Sequence, residues 1–311
     1  MKVPILLIAF NRLEKTKQVF SKIKLYEPQQ LFLAADGPRK NIQGDNEKCS
    51  EVRSWLLNNI DWECEVKTLF QNDNIGCGLG PADAITWFFN YVDEGIILED
   101  DTVPHIEFFD YSSILLAKYR NNLEVMAINS SNFQDRKHGD GSYYFSMQNG
   151  PFCAWATWKR SWSFFDYSLD KYSEIQLKKA FVNYRTTRRE KKWWLGIYKG
   201  VINDVYSGSS WDYQHIFAMW INQGKSIVPN TNLSTNIGFG PDATHTTNPE
   251  SATANKPVYP ILPLVHPSNE KVCRKADLYY HDLYYDKFVE HVTFVKKIKR
   301  LIKKQIKSLK K

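Results

Sequence analysis

Short runs rich in apolar residues recur through the first hundred positions, at 4–10, 31–35, 65–70 and 95–98, with amphipathic stretches between them. That alternation constrains the fold more than any other feature. Runs of this length, bounded by turn residues, read as strands. The stretch 13–25 carries Val19, Phe20 and Ile23 at helical spacing, and 47–60 carries Val52, Trp55, Leu56 and Leu57. A third helix is expected over 81–91, opened by the turn of Gly76, Gly78 and Gly80, with Pro81 in its first turn. Asp36-Gly37-Pro38 ends the second strand. Strands separated by helices imply right-handed βαβ units and a mostly parallel sheet covered on both faces, an α/β fold. With 311 residues, 43% of them hydrophobic, the chain can bury a large core as one extended α/β domain with appendages.

Beyond Asp101 the rhythm becomes irregular. Helices are expected at 107–119, 190–206 and 211–222, and short strands at 124–128, 143–146 and 154–158. Residues 231–256 form a loop rich in Gly, Asn, Thr and Pro. Aromatic residues crowd 145–220; such clusters usually form core, although sugar-handling clefts also use flat apolar faces. The net charge is +7, but nine of the 41 basic residues fall in 292–311, a stretch without acids, and the other 32 face 34 acids. A body balanced in this way does not suit nucleic acid. Five scattered cysteines without a CxxC pair read as reduced thiols of a cytoplasmic protein rather than a disulfide or zinc framework. The opening apolar run at 3–10 is too short for a signal peptide or membrane span and reads as a buried strand.

The strongest chemical signal is Glu99-Asp100-Asp101, which follows Ile96-Ile97-Leu98 directly. The apolar strand delivers three carboxylates to its C-terminal end, where ligands of open α/β sheets bind. Adjacent carboxylates raise one another's pKa unless a cation or hydrogen-bond donors compensate. A divalent cation bridging a diphosphate would do so, and oxygen-only ligation favours Mn²⁺ or Mg²⁺ over zinc. A solvated acidic turn is the plainer alternative. Arg12, after the first strand, suits either a phosphate contact or a solvated helix start. Asp36 fits turn initiation. The Gly-rich turn at 76–80 lacks the lysine of a P-loop and does not read as an ATPase.

The Glu99-Asp100-Asp101 segment resembles the variant DxD motif of GT-A glycosyltransferases, and especially the EDD form of the animal N-acetylglucosaminyltransferase that starts hybrid and complex N-glycans. The resemblance implies that Asp101 ligates the metal while Glu99 and Asp100 lie near the ribose and donor sugar. It also implies that Phe10, Asn11 and Arg12 hold base and diphosphate, and that Asp36 accepts the uracil imide N–H. Asn74, in Asn74-Ile75-Gly76, is similar to the Asn-x-Gly before the third helix of many members. Residues 152–160 and 236–246 resemble stretches of bacterial relatives, so the likeness runs over about 3–247. A late His in several members makes His245 a candidate metal or diphosphate ligand; in a Thr-rich loop it otherwise reads as solvated.

Inversion at the anomeric carbon needs a general base. Asp212, at the start of an aromatic helix, resembles the catalytic Asp of inverting members, although an acid there also suits a helix N-terminus. Asp204 is the fallback, and His215 is either core or a partner of Asp212. The expectation is a GT-A fold with a nucleotide-sugar-binding half at 1–101 and an acceptor and catalytic half at 102–247. An extension at 248–291 and a tail at 292–311 follow. The implied function is a metal-dependent, inverting glycosyltransferase with a nucleotide-sugar donor, UDP-linked, and a glycan or lipid-linked saccharide acceptor. A sugar-1-phosphate nucleotidyltransferase shares the fold and metal but would show GxGxR where this chain has Phe10-Asn11-Arg12-Leu13. A non-catalytic carbohydrate-binding protein is the other alternative. In the tail, Phe294, Val295, Ile298, Leu301, Ile302 and Leu309 form a helical stripe flanked by lysines. That pattern suits an anionic membrane surface and a cytoplasmic enzyme attached to the inner face of the plasma membrane.

Overall fold

The computed structural model describes residues 2–147, 154–203, 210–240 and 254–283. The expected first half forms as β1 (Ile5–Ala9), α1 (Leu13–Tyr26), β2 (Gln30–Ala35), α2 (Asp45–Asn58), β3 (Glu65–Phe70), α3 (Gly76–Phe88) and β4 (Glu94–Glu99). One helix differs from expectation. The glycine run is itself the first turn of α3, and Pro81 stands inside the helix rather than at its start. The positive φ of Gly76, +90°, makes the entry.

The second half adds β5 (Thr102–Pro104), α4 (Glu107–Tyr119), β6 (Val125–Asn129), β7 (Tyr143–Ser146), β8 (Ala154–Trp158) and α5 (Lys159–Trp162). There follow α6 (Glu174–Asn183), α7 (Arg188–Ile202), α8 (Asp212–Ile221), β9 (Lys225–Pro229), β10 (Ser234–Asn236) and α9 (Arg274–His281). The eight-stranded sheet runs β3-β2-β1-β4-β8-β6-β9-β7. β1 to β4 are mutually parallel, and β8 enters antiparallel between β4 and β6. β9 runs parallel to β6, and β7 closes the edge antiparallel. The fold is therefore α/β, with a large, mostly parallel central sheet flanked by helices.

Strand periodicity divides the core. Ile5 and Leu7 of β1 and Ile96 and Leu98 of β4 face α1, α2 and α4, while Leu6 and Ile97 face α3 and the aromatic residues Trp155, Trp162 and Trp211. Both faces of β4 are thus covered. A Cβ at Gly95 would overlap the Phe88 ring, so glycine is what lets α3 lie close on this strand. A third apolar cluster joins α6, α7 and α8. Residues 254–283 pack on the body: Glu107 accepts the amides of Ile261 and Leu262, and Arg274 binds the fully buried Glu190. No helix among the described residues is long and apolar enough to cross a membrane. His245, Asp204 and the basic stretch 292–311 lie outside the described residues.

Candidate active site

The site grows from the C-terminal ends of the central parallel strands. β1 pairs with β4, Ile8 opposite Glu99, so the residues after β1 meet those after β4. The Phe10 amide donates to Asp100 Oδ2 at 3.1 Å. The Arg12 guanidinium bridges the two aspartates, one nitrogen on Asp100 Oδ1 and another 2.9 Å from Asp101 Oδ2. Arg12 is therefore the counterion of the acidic run. Burial opposes its charge, but Asp100 and Asp101 outweigh burial and raise its pKa.

The three acids differ in environment. Asp100 is buried, and burial raises its pKa against the opposing pull of Arg12. Glu99 keeps some exposed surface, yet burial, then the charges of Asp101 and Asp100, push its pKa up to about 8. One arginine does not neutralise three carboxylates.

Asp101 is held from its other side by a two-stranded ribbon. β10 pairs antiparallel with β5, Asn236 opposite Thr102, and the Ile237 amide donates to the Asp101 carbonyl at 2.8 Å. Asn236 Oδ1 accepts the Gly238 amide at 2.7 Å and folds the chain over the carboxylate. A Cβ at Gly238 would overlap Asp101 Oδ2. The Gly238-Phe239-Gly240 segment that precedes His245 thus starts against Asp101.

Asp36, at the end of β2, is fully engaged within the chain. Its oxygens accept the amides of Gly37, Ile75 and Gly76 and the Asn74 side chain, at 2.8 to 2.9 Å. These four bonds fill both oxygens and fix the turn into α3. A nucleobase N–H would have to displace one of them. Asn74 also donates to the Gly37 carbonyl. Asn11 donates to Asp45 Oδ1 at 2.5 Å, and Asp45 accepts the backbone amide, Nε and Nη2 of Arg39. That Arg39 fork holds the Asp45 carboxyl well below the usual range. Arg39 also lies 5.3 Å from the Phe10 ring centre. The Arg39–Asp45 pair supports Phe10 and Asn11 and was not legible from spacing alone.

Asp212 opens α8, and Ser210 Oγ donates to its Oδ1 at 2.7 Å. Trp211 stacks on Trp155 of β8, ring centres 5.8 Å apart, which seats the start of α8 beside β4. The charge of Asp212 consequently contributes to raising the pKa of Glu99 and that of Cys77 in the first turn of α3. His215, one turn on, is core. It is packed among Trp155, Trp162 and Trp211 with neither ring nitrogen hydrogen-bonded among the described residues, and burial pushes its pKa down to about 3.

Among the described residues no group of three or more His, Cys, Asp or Glu side chains is arranged to hold a metal ion. Asp101 Oδ2 is taken by Arg12, and Oδ1 accepts a long bond, 3.4 Å, from the Thr102 hydroxyl. A cation that arrives with phosphate oxygens, as Mg²⁺ commonly does, needs only one or two such carboxylates. A cleft of about 510 Å³ lined by Arg136, Lys137, His138, Lys275 and Tyr279 shares no residue with this site.

No protein-family model matches the chain, and no curated protein matches it. Among solved structures, HddC from Yersinia pseudotuberculosis aligns at 10% identity over 51% of this chain and 78% of its own, with a TM-score of 0.30. A cytidylyltransferase from Leptospira borgpetersenii aligns at 13% identity, 56% and 66% coverage and TM-score 0.33. The inositol-1-phosphate CTP transferase from T. maritima gives 9%, 56%, 76% and 0.32. At these TM-scores the likenesses decide nothing about chemistry, which rests on the side chains described above.

Proposed function

We propose that this chain is a metal-dependent, inverting glycosyltransferase of the GT-A type. It would move a sugar from a nucleoside-diphosphate donor, UDP-linked, to a hydroxyl of a glycan or lipid-linked saccharide. The observation that carries the reading is the meeting of two acidic elements remote in sequence. Trp211 stacks on Trp155, which pairs opposite Ile97 of β4, and so seats Asp212 at the head of α8 beside the strand that ends in Glu99. Such a transferase needs one acidic element for the nucleotide and another for the acceptor.

In this reading Phe10, Asn11, Arg12, Asp36 and Asn74 border the base and diphosphate, and Glu99 and Asp100 border the ribose and donor sugar. Arg12, which pairs with Asp100 and Asp101, would be the cation that meets the diphosphate. Asp101, with His245 from the loop beyond Gly240, would hold Mn²⁺ or Mg²⁺, which when bound neutralises the departing diphosphate. Asp212 accepts the proton of the acceptor hydroxyl. The oxygen of that acceptor hydroxyl bonds to the anomeric carbon on the face opposite the diphosphate. The bond from that carbon to the phosphate oxygen breaks, and its electron pair leaves with the nucleoside diphosphate. The basic stripe at 292–311 would attach this cytoplasmic enzyme to the inner face of the plasma membrane.

Asp212→Asn tests the assignment. Donor binding should persist while transfer falls by roughly two to four orders of magnitude. Normal turnover, or a product that keeps the donor's anomeric configuration, contradicts it.

A further inference from the structure

The α6–α7 pair presents a surface that the reaction does not use. α6 buries Leu177, Ala180 and Phe181 on one side, against α7 and α8. Its opposite side should be polar. Instead it carries Ile175, 79% exposed, and Val182, 66% exposed, seven residues apart on one stripe with Lys179 between them. α7 runs back beside α6 and buries Glu190, Trp194 and Tyr198. Arg188, Lys192 and Lys199 lie on its outer side, and Ile202, 48% exposed, lies at its end. The two outer faces adjoin, because Glu174 at the start of α6 reaches both Lys178 and Lys199.

Single exposed apolar side chains are ordinary. Here they come with uncompensated charge. Glu174 is committed to Lys178 and Lys199, Glu190 to Arg274, and Asp282 to Arg189. Lys179, Arg185, Arg188 and Lys192, all exposed, have no carboxylate partner among the described residues. Apolar tips among unpaired cations match a surface that is negative outside and apolar just beneath, which is an anionic bilayer. Lysine and arginine stems can lie along such a surface with their charges at head-group level.

We propose that the outer face of α6 and α7 docks on anionic lipid, with Ile175 and Val182 entering the head-group layer. Each cation near such a surface contributes roughly fivefold in partitioning. Both helices pack on α8 through Leu177, Phe181, Trp194 and Tyr198 against Phe217 and Trp220. Docking would therefore hold the bilayer one helical layer from the helix that begins at Asp212. The inference rests on this face alone and does not require the proposed reaction.

The test is co-sedimentation of the full chain with phosphatidylcholine vesicles, with and without phosphatidylglycerol. The parent should bind only the anionic vesicles. Ile175→Asp with Val182→Asp, and separately Arg188→Glu with Lys192→Glu, should each weaken that binding at least about tenfold. Both pairs are exposed, so thermal unfolding transitions should stay near the parent's. Equal binding by either double variant and the parent would overturn the proposal and leave lipid attachment to 292–311. Equal binding of the parent to both vesicle types would overturn it as well.

Discussion

Arg12→Met removes the shared counterion of Asp100 and Asp101 while keeping a side chain of similar length. The Asp100 side chain is 3% exposed and the Arg12 side chain 24%. Breaking a fully buried pair typically costs about 3–5 kcal/mol, because the remaining charge is stranded. Solvent reaches part of Arg12, and the Phe10 amide stays on Asp100. About 2–4 kcal/mol is therefore the expected loss. An unfolding entropy near 2.1 cal/mol/K per residue gives a chain of this length roughly 0.65 kcal/mol/K, so the midpoint should fall by about 3–6 °C. Differential scanning calorimetry at neutral pH measures it. Adding Asp100→Asn to Arg12→Met removes the stranded charge and should restore most of the loss. An unchanged midpoint in the single variant refutes the counterion role, as does a double variant no better than the single one.

Other outcomes follow from the same geometry. Gly238→Ala should weaken Mn²⁺-dependent binding of UDP at least about tenfold by calorimetric titration, because a Cβ there would overlap Asp101 Oδ2; its thermal midpoint should fall as well, because the same oxygen binds Arg12. Arg274→Met removes two bonds from the fully buried Glu190, whose carboxyl is depressed because the bonds from Arg274 and Thr187 outweigh burial, and one from the buried Asp277. It should cost about 3 kcal/mol or more at neutral pH in chemical denaturation. A depressed carboxyl stabilises the fold above its ordinary pKa and loses that contribution as pH falls through its folded value, so the gap between variant and parent should narrow in acid.

The parallel half was legible because each strand of β1 to β4 is a short run bounded by turn residues and each helix between them carries an apolar stripe. The start of α3 was misread because three glycines suggest a loop. Here the bonds from Asn74, Ile75 and Gly76 to Asp36 fix the entry, and the glycines form the first turn. β5 and β10 escaped notice because three-residue strands have no periodicity; their pairing is decided by a partner far along the chain. α6 was not legible from apolar spacing, although Ser173 and Gln176 form a capping box at its start. At the site, the acidic run at 99–101 was visible as a strand running into carboxylates. Its bond to Arg12 was not, since only the β1–β4 pairing brings them together. Nor was the seating of Asp212 beside β4, which depends on Trp211 stacking on Trp155.

The central claim is that the carboxylates at the end of β4 serve transfer of a sugar from a nucleotide sugar. The most direct measurement supplies the full chain with UDP-sugars and Mn²⁺ and, in parallel, with sugar 1-phosphates and nucleoside triphosphates. Release of nucleoside diphosphate and of pyrophosphate is then followed. Nucleoside diphosphate released from a nucleotide sugar, dependent on Mn²⁺ and lost in Asp101→Ala, is the expected result. Pyrophosphate released from a triphosphate, or diphosphate release that persists in Asp101→Ala, contradicts it.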